Sequence, residues 1–218
     1  MITQNIEKIF TSIPESVTVL AAAKTRTVEM VQEAYHAGLV HFGHNYVQEA
    51  AAMIPAMNEK IQWHMIGHLQ RNKVKQALAL FNVIDSVDSQ RLAEELEKHA
   101  ALMERVMPIM IEINIGEEEA KTGVTPDAAF QLAQSMQTLP HLNLIGVMTM
   151  GPLSVDPEDS RAYFKQTRML FEQIQKIQNS IQILSMGMSS DYLVAIEEGA
   201  SMVRLGTAIF GERISHHS

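Results

Sequence analysis

The chain has 218 residues, 46% hydrophobic and 19% charged, which supplies enough apolar material for a packed core and argues against disorder. Its 25 acidic and 17 basic residues leave a formal net charge of −8; this excludes general nucleic-acid binding, which needs a net basic footprint, but not a local basic pocket for a small anion. No cysteine is present, so disulfides, thiolate metal sites and a cysteine nucleophile are excluded together.

The amino-terminal segment MITQNIEKIFTSIPES is polar and carries acidic residues, unlike a secretory leader. An additional helix is expected there, ahead of the first strand. Short apolar runs and longer segments of helical spacing then alternate. Strands are predicted over residues 17–23, 40–43, 62–67, 83–86, 108–114, 144–150, 183–188 and 202–205. Several are continuous apolar runs, the pattern of parallel strands covered on both faces. Between them, residues 27–38 read as a helix capped by Thr27, with Glu29 in its first turn and Gly38 at its end. Residues 89–103 form another, with Arg91, Glu94, Glu95 and Lys98 on its wet side. The longest, 157–178, is entered through Asp156-Pro157.

Eight strands, each followed by a helix or helical turn, imply an α/β fold closed as a single (β/α)₈ TIM barrel. The rival is a doubly wound open sheet, because runs as short as 40–43 and 202–205 are easily miscounted. No linker interrupts the chain and no apolar run approaches the ~20 residues that cross a bilayer. One cytoplasmic domain over 1–218 is expected, with neither membrane nor nucleic acid as partner. The closing SHHS is left out of the functional reading.

In such a barrel, chemistry gathers at the carboxyl-terminal ends of the strands. Lys24, His44, Asn45, His64, Ser86, Asn114, Thr149, Ser189, Gly206 and Thr207 all fall at or near these ends. Lys24 is the first charge after an apolar strand. Partial desolvation there would favour the neutral amine that attacks carbonyls, and the plain alternative is a lysine reaching out to solvent. Ser189, Gly206 and Thr207 lie at the ends of strands seven and eight, where phosphate sites form. A hydroxyl and backbone N–H groups would hold a phosphate there, and a side chain at Gly206 would obstruct it. The alternative is an ordinary glycine-containing turn. Arg204 alternates with Val203 and Leu205 and so points opposite to them, toward either a ligand or a structural ion pair with a glutamate.

Other features carry less. His41, His44, His64 and His68 raise metal binding, but their spacing does not align three ligands, and no metal is assigned. Arg71, Lys73 and Lys75 read as a solvated helix start. Met148, Met150, Met186 and Met188 read as core fillers, with a pocket-lining role as the alternative. Neither a Walker loop nor a GxGxxG pattern is present.

Seven segments carry a resemblance in their order: AAAKT (21–25), FGHNYVQEA (42–50), WHMIGHLQRNK (63–73), SVDS (86–89), GVMTM (146–150), SMGMSSD (185–191) and VRLGTAIFGER (203–213). The chain resembles the pyridoxal phosphate homeostasis protein family, which is similar in fold to the barrel domain of alanine racemase, the fold-type III group. The resemblance spans residues 17–213. It implies that Lys24 is the Schiff-base lysine for pyridoxal 5′-phosphate, that Ser189, Gly206 and Thr207 hold its phosphate, and that Asn45 and Arg204 flank its pyridine ring. One departure stands out: the family usually reads FGENYVQE, and this chain has His44 in place of the glutamate.

The implied function is a carrier that binds pyridoxal 5′-phosphate, contributes to its intracellular homeostasis and supplies it to apo-enzymes. No catalytic residue is assigned, because no second acid–base group faces Lys24, and the absence of a racemase's second domain points to a monomer. Two alternatives remain. One is a racemase-like enzyme using His64 or Tyr46 as its other base, and the other a cofactor-free Schiff-base aldolase acting on a phosphorylated sugar.

Overall fold

In the computed structural model, which describes residues 1–57, 60–118, 120–152 and 154–212, the apolar runs pair side by side as parallel strands. In chain order they are β1 Thr18–Ala22, β2 His41–His44, β3 Gln62–Met65 and β4 Val83–Val87. Next come β5 Met107–Ile113, β6 Leu142–Thr149, β7 Ile183–Ser185 and β8 Met202–Leu205. The strands keep sequence order around a closed barrel. Closure comes from β1 pairing with β8, Thr18 opposite Met202 and Leu20 opposite Arg204, which rules out the open sheet. Arg213, the last residue of the final motif, and the closing SHHS lie outside the described residues.

Helix α1 (Ile2–Ser12) precedes β1 and buries Ile2, Ile6 and Ile9. After the successive strands follow α2 Val28–His36, α3 Val47–Met53, α4 Val74–Leu80 and α5 Gln90–Leu102. The remaining helices are α6 Pro126–Ser135, α7 Arg161–Gln175, α8 Tyr192–Glu197 and α9 Thr207–Phe210. Local chemistry sets several of their ends. The Thr27 hydroxyl accepts from the Met30 N–H at 3.4 Å, and the Ser89 hydroxyl from the Leu92 N–H at 3.3 Å. Gly38 follows α2 with φ +105°, a conformation other residues rarely adopt. The helix expected over 157–178 divides into a 3₁₀ turn, Pro157–Ser160, and α7. Asp156 caps that turn by accepting from the Glu158 N–H at 3.0 Å.

Two apolar layers hold the barrel. Leu20, Val83, Met110, Met148 and Met202 fill its interior. A larger shell that includes Phe42, Trp63, Leu78, Leu96, Phe164 and Ile174 lies between strands and helices. Several strands stop earlier than the apolar runs suggest: Ile66, Met150, Met186, Gly187 and Met188 all lie beyond the last paired residue. Their chain turns over the carboxyl-terminal mouth, and this positions the site. Among the described residues, no helix is long and apolar enough to cross a membrane.

Candidate functional site

A cavity of about 470 Å³ opens at the carboxyl-terminal mouth, and Lys24, Asn45, Ser189, Arg204, Gly206 and Thr207 all line it. The structure therefore brings the six expected residues together from β1, β2, β7 and β8. Three cations, Lys24, Arg26 and Arg204, contribute to the wall, and no carboxylate does among the described lining residues. A chain of net charge −8 thus presents a positive pocket at this end.

Lys24 leaves β1 just before a sharp turn in which Thr25 takes φ +62°. Its ammonium is half-buried and sits 5.2 Å from the centroid of the Tyr46 ring, within cation–π range. Arg26 lines the wall two residues on. One guanidinium nitrogen donates to the Gly211 carbonyl at 2.9 Å, and the group stacks 5.3 Å from the Phe210 centroid. Across the cavity, the Ser189 hydroxyl oxygen accepts from the backbone N–H groups of Gly206 and Ala208, both at 3.1 Å. Ser189 thus ties the β7 loop to the start of α9.

Arg204 is 5% exposed. Its guanidinium donates to the Ser185 carbonyl at 3.0 Å, the Ser185 hydroxyl at 2.8 Å and the Thr149 carbonyl at 2.7 Å. The ion pair with a glutamate, held open above, is absent among the described residues; neutral acceptors on β6 and β7 hold the charge instead. Burial lowers its pKa from the ordinary value, and the carboxylates of Asp85, Glu112 and Asp191 act in the opposite sense. Asn45 is positioned through its backbone. A Cβ on Gly67 would fall 2.4 Å from the Asn45 carbonyl oxygen, so only glycine permits this approach.

Several strand-end residues do other work. His64 is 1% exposed, with Nδ1 2.9 Å from Asp85 Oδ1 and Nε2 3.0 Å from His41 Nδ1. Both of its ring nitrogens are therefore engaged inside the barrel. Burial and the neighbouring His64 lower the pKa of His41 to about 4, against the pull of Asp85. Ser86 donates to the Gly67 carbonyl at 2.6 Å, and Thr149 to the Ile113 carbonyl at 2.7 Å. Asn114 shapes the loop after β5 through Glu118. His68 pairs with Asp88 at 2.7 Å. Among the described residues, no three histidines or carboxylates converge as metal ligands.

His44 faces away from the barrel interior, 1% exposed and stacked on Trp63 with centroids 5.5 Å apart. Neither ring nitrogen has a hydrogen-bond partner among the described residues; Glu49 Oε2 stands 3.8 Å from Nδ1, too far for one. Burial lowers its pKa, opposed by Glu49. On β5, Glu112 accepts from the Thr122 hydroxyl at 2.6 Å, while its buried Oε2 has no such partner. Burial, helped by Asp88, raises its carboxyl above the usual range against Thr122, Arg204 and His68.

Sequence reasoning missed four lining residues: Ala22, Arg26, Ile66 and Ser190. Arg26 had a signal, as a second cation two residues beyond Lys24. Met150 and Met188 take the pocket-lining alternative, whereas Met148 and Met186 are core.

Comparison with known proteins follows the same lines. A family model described as alanine racemase, N-terminal domain, matches residues 1–214. A pyridoxal phosphate homeostasis protein of Aquifex aeolicus is 42% identical over 196 residues, covering 89% of this chain and 86% of the relative. Its counterpart in Pasteurella multocida is 40% identical over 206 residues, covering 92% and 88%. Among solved structures, PipY of Synechococcus elongatus with PLP bound superposes with a TM-score of 0.89 at 32% identity, covering 97% of this chain and all of that one. Alanine racemase of Clostridium difficile superposes with a TM-score of 0.86 at 14% identity, covering 99% and 57%, a likeness of fold.

Proposed function

The chain belongs to the alanine racemase N-terminal domain family and is similar across most of its length to pyridoxal phosphate homeostasis proteins; on that premise we propose that residues 1–218 act as one barrel domain that binds pyridoxal 5′-phosphate and serves its homeostasis. The protein holds the cofactor as a Schiff base on Lys24 and supplies it to apo-enzymes, as a monomer in the cytoplasm. The observation that carries this reading is the single cavity lined by Lys24, Asn45, Ser189, Arg204, Gly206 and Thr207, with three cations and no carboxylate in its described wall.

The residues present suit the group. Gly206 has φ −114°, and a Cβ there would meet nothing closer than 3.7 Å. Neither backbone strain nor packing demands glycine at this place; its bare Cα leaves room for a ligand to approach the backbone on the cavity wall. The Ser189 hydroxyl and the backbone of Gly206 and Thr207 would hold the phosphate, the Gly206 N–H turning to it from Ser189 Oγ, to which it donates here at 3.1 Å, and Arg204 and Asn45 would flank the ring. When bound, the cofactor supplies an aldehyde for the lysine amine and a ring that withdraws electrons. Arg204 keeps its proton, so a ring nitrogen held against it would stay unprotonated and withdraw electrons weakly. That favours a carrier over a catalyst.

A racemase needs bases on opposite faces of its substrate. His64 is ill suited, since Asp85 and His41 take both of its nitrogens. Tyr46, beside Lys24, is the group that the racemase reading would have to use.

The test is an absorbance spectrum of the protein mixed with pyridoxal 5′-phosphate, before and after borohydride. A visible band should appear in the wild type and be lost in Lys24→Ala. A colourless protein with no reduced adduct on Lys24 would sink the reading and leave the aldolase alternative. Deuterium exchange at amino-acid Cα positions above the free-cofactor rate would move the assignment to a racemase. Transfer to an apo-enzyme no faster than dilution would defeat the supply role.

A further inference from the structure

The segment WHMIGHLQRNK, residues 63–73, contributes only Ile66 to the cofactor cavity. Five others, Met65, Gly67, His68, Gln70 and Lys73, line a second cavity of about 300 Å³, whose polar wall also includes Asn45 and Gln48. The two cavities share Asn45. Tyr46, whose ring lies 5.2 Å from the Lys24 ammonium, also lines the second one.

Asn45 and Lys73 are half-buried, and Gln48, His68 and Gln70 are exposed to solvent. Among the described residues, the side chains of Asn45, Gln48, Gln70 and Lys73 make no hydrogen bond or ion pair. The nearby carboxylate of Asp88 is taken by His68 at 2.7 Å. Arg71 and Lys75, the other cations of the segment, are exposed and take no part in the wall. Lys73 is half-buried at the end of the 3₁₀ turn Arg71–Lys73, and its cavity holds one uncompensated positive charge among three carboxamides.

We infer that this second cavity binds the carboxylate of a small amino acid beside the cofactor. One ammonium with neutral N–H donors matches a flat monoanion, which accepts at both oxygens. A phosphate dianion fits the neighbouring cavity better, where Lys24, Arg26 and Arg204 converge. Because Asn45 lines both cavities and the Tyr46 ring, in the wall of the second, lies 5.2 Å from the Lys24 ammonium, a small molecule held by its carboxylate at Lys73 lies next to the cofactor cavity. That amino acids meet the cofactor there rests on the function proposed above; the carboxylate site itself does not.

The experiment titrates propionate, L-alanine, n-propylamine and inorganic phosphate against the full chain, with and without pyridoxal 5′-phosphate, by calorimetry. Propionate and L-alanine should bind the loaded protein, and n-propylamine should not. Lys73→Met, which keeps the stem and removes the charge, should weaken propionate at least about tenfold, while Lys73→Arg retains binding. Lys24→Ala should lose the visible band and keep the propionate site. Equal propionate binding by Lys73→Met and wild type overturns the inference. So does Lys73-dependent binding of phosphate more tightly than propionate. If the wild type takes up no cofactor but binds propionate through Lys73, the cofactor reading falls and the carboxylate site stands.

Discussion

Arg204 and His44 are about equally buried, at 5% and 1% exposure, yet the protein treats them in opposite ways. Arg204 makes three hydrogen bonds, to two carbonyls and a hydroxyl inside the barrel. His44, on the outer side of β2, is given an aromatic neighbour and no hydrogen-bond partner among the described residues. Inside the barrel, β6, β7 and β8 run close enough for one guanidinium to span them. Outside, the side chain meets a layer made for apolar packing. A buried polar group is tolerable where neighbouring strands converge on it and costly where only helices cover it.

The largest break in this contrast should come from Arg204→Leu. It strands the Ser185 and Thr149 acceptors and removes a buried cation that Asp85 and Glu112 attract, so a loss of ~3 kcal/mol in denaturant unfolding is expected. A loss well under 1 kcal/mol would mean that the interior network contributes little.

Acid comes next. The folded pKa of His41 lies below its ordinary 6.5, at about 4, so the unfolded chain binds more protons between those values. Stability therefore falls as pH drops from 6.5 toward 4. After allowance for solvent near this half-buried ring, the His41 contribution is about 2 kcal/mol. Comparing urea midpoints of wild type and His41→Asn at pH 7 and pH 4 isolates it; identical slopes would refute the assignment.

On the outer side, His44→Phe removes two unpartnered nitrogens and keeps the stack on Trp63. The expected outcome is a gain of ~1 kcal/mol at pH 7. The gain should grow on acidification, because the lowered pKa of His44 makes folding work against its protonation below 6.5. A thermal melt that moves down would show that the two regions are more alike than their hydrogen bonds suggest.

The smallest effect belongs to Glu112→Gln. The raised pKa of Glu112 means that its ionised form opposes folding at neutral pH, so the amide should stabilise by up to ~1 kcal/mol at pH 7. The advantage should vanish as pH falls below 4.5, where both states of the wild type are protonated. Midpoints measured at pH 7 and pH 4 check this sign.

These regions also differ in how far the sequence announced them. Lys24 was visible as the first charge after an apolar strand, and the closed barrel followed from counting alternations. The strand ends were read too long because Ile66, Met150 and Met188 are apolar for another reason: they line the cavity instead of pairing. The link from His41 through His64 to Asp85 had no sequence signature. It exists because parallel register sets His64 opposite Gly43 on one side and Val83 on the other, bringing neighbours on three strands into reach. Arg204 could be placed on the inward face, but its acceptors lie on two other strands, and spacing along β8 contains no trace of them.

Asn45 belongs to two cavities at once, with its backbone lodged against the bare Cα of Gly67. Its carboxamide makes no hydrogen bond among the described residues, and any turn that suits an occupant of one cavity alters what the other is offered. Thermodynamic linkage then imposes a symmetry. By whatever factor a guest at Lys73 tightens or loosens the hold at Lys24, a guest at Lys24 must change the hold at Lys73 by the same factor.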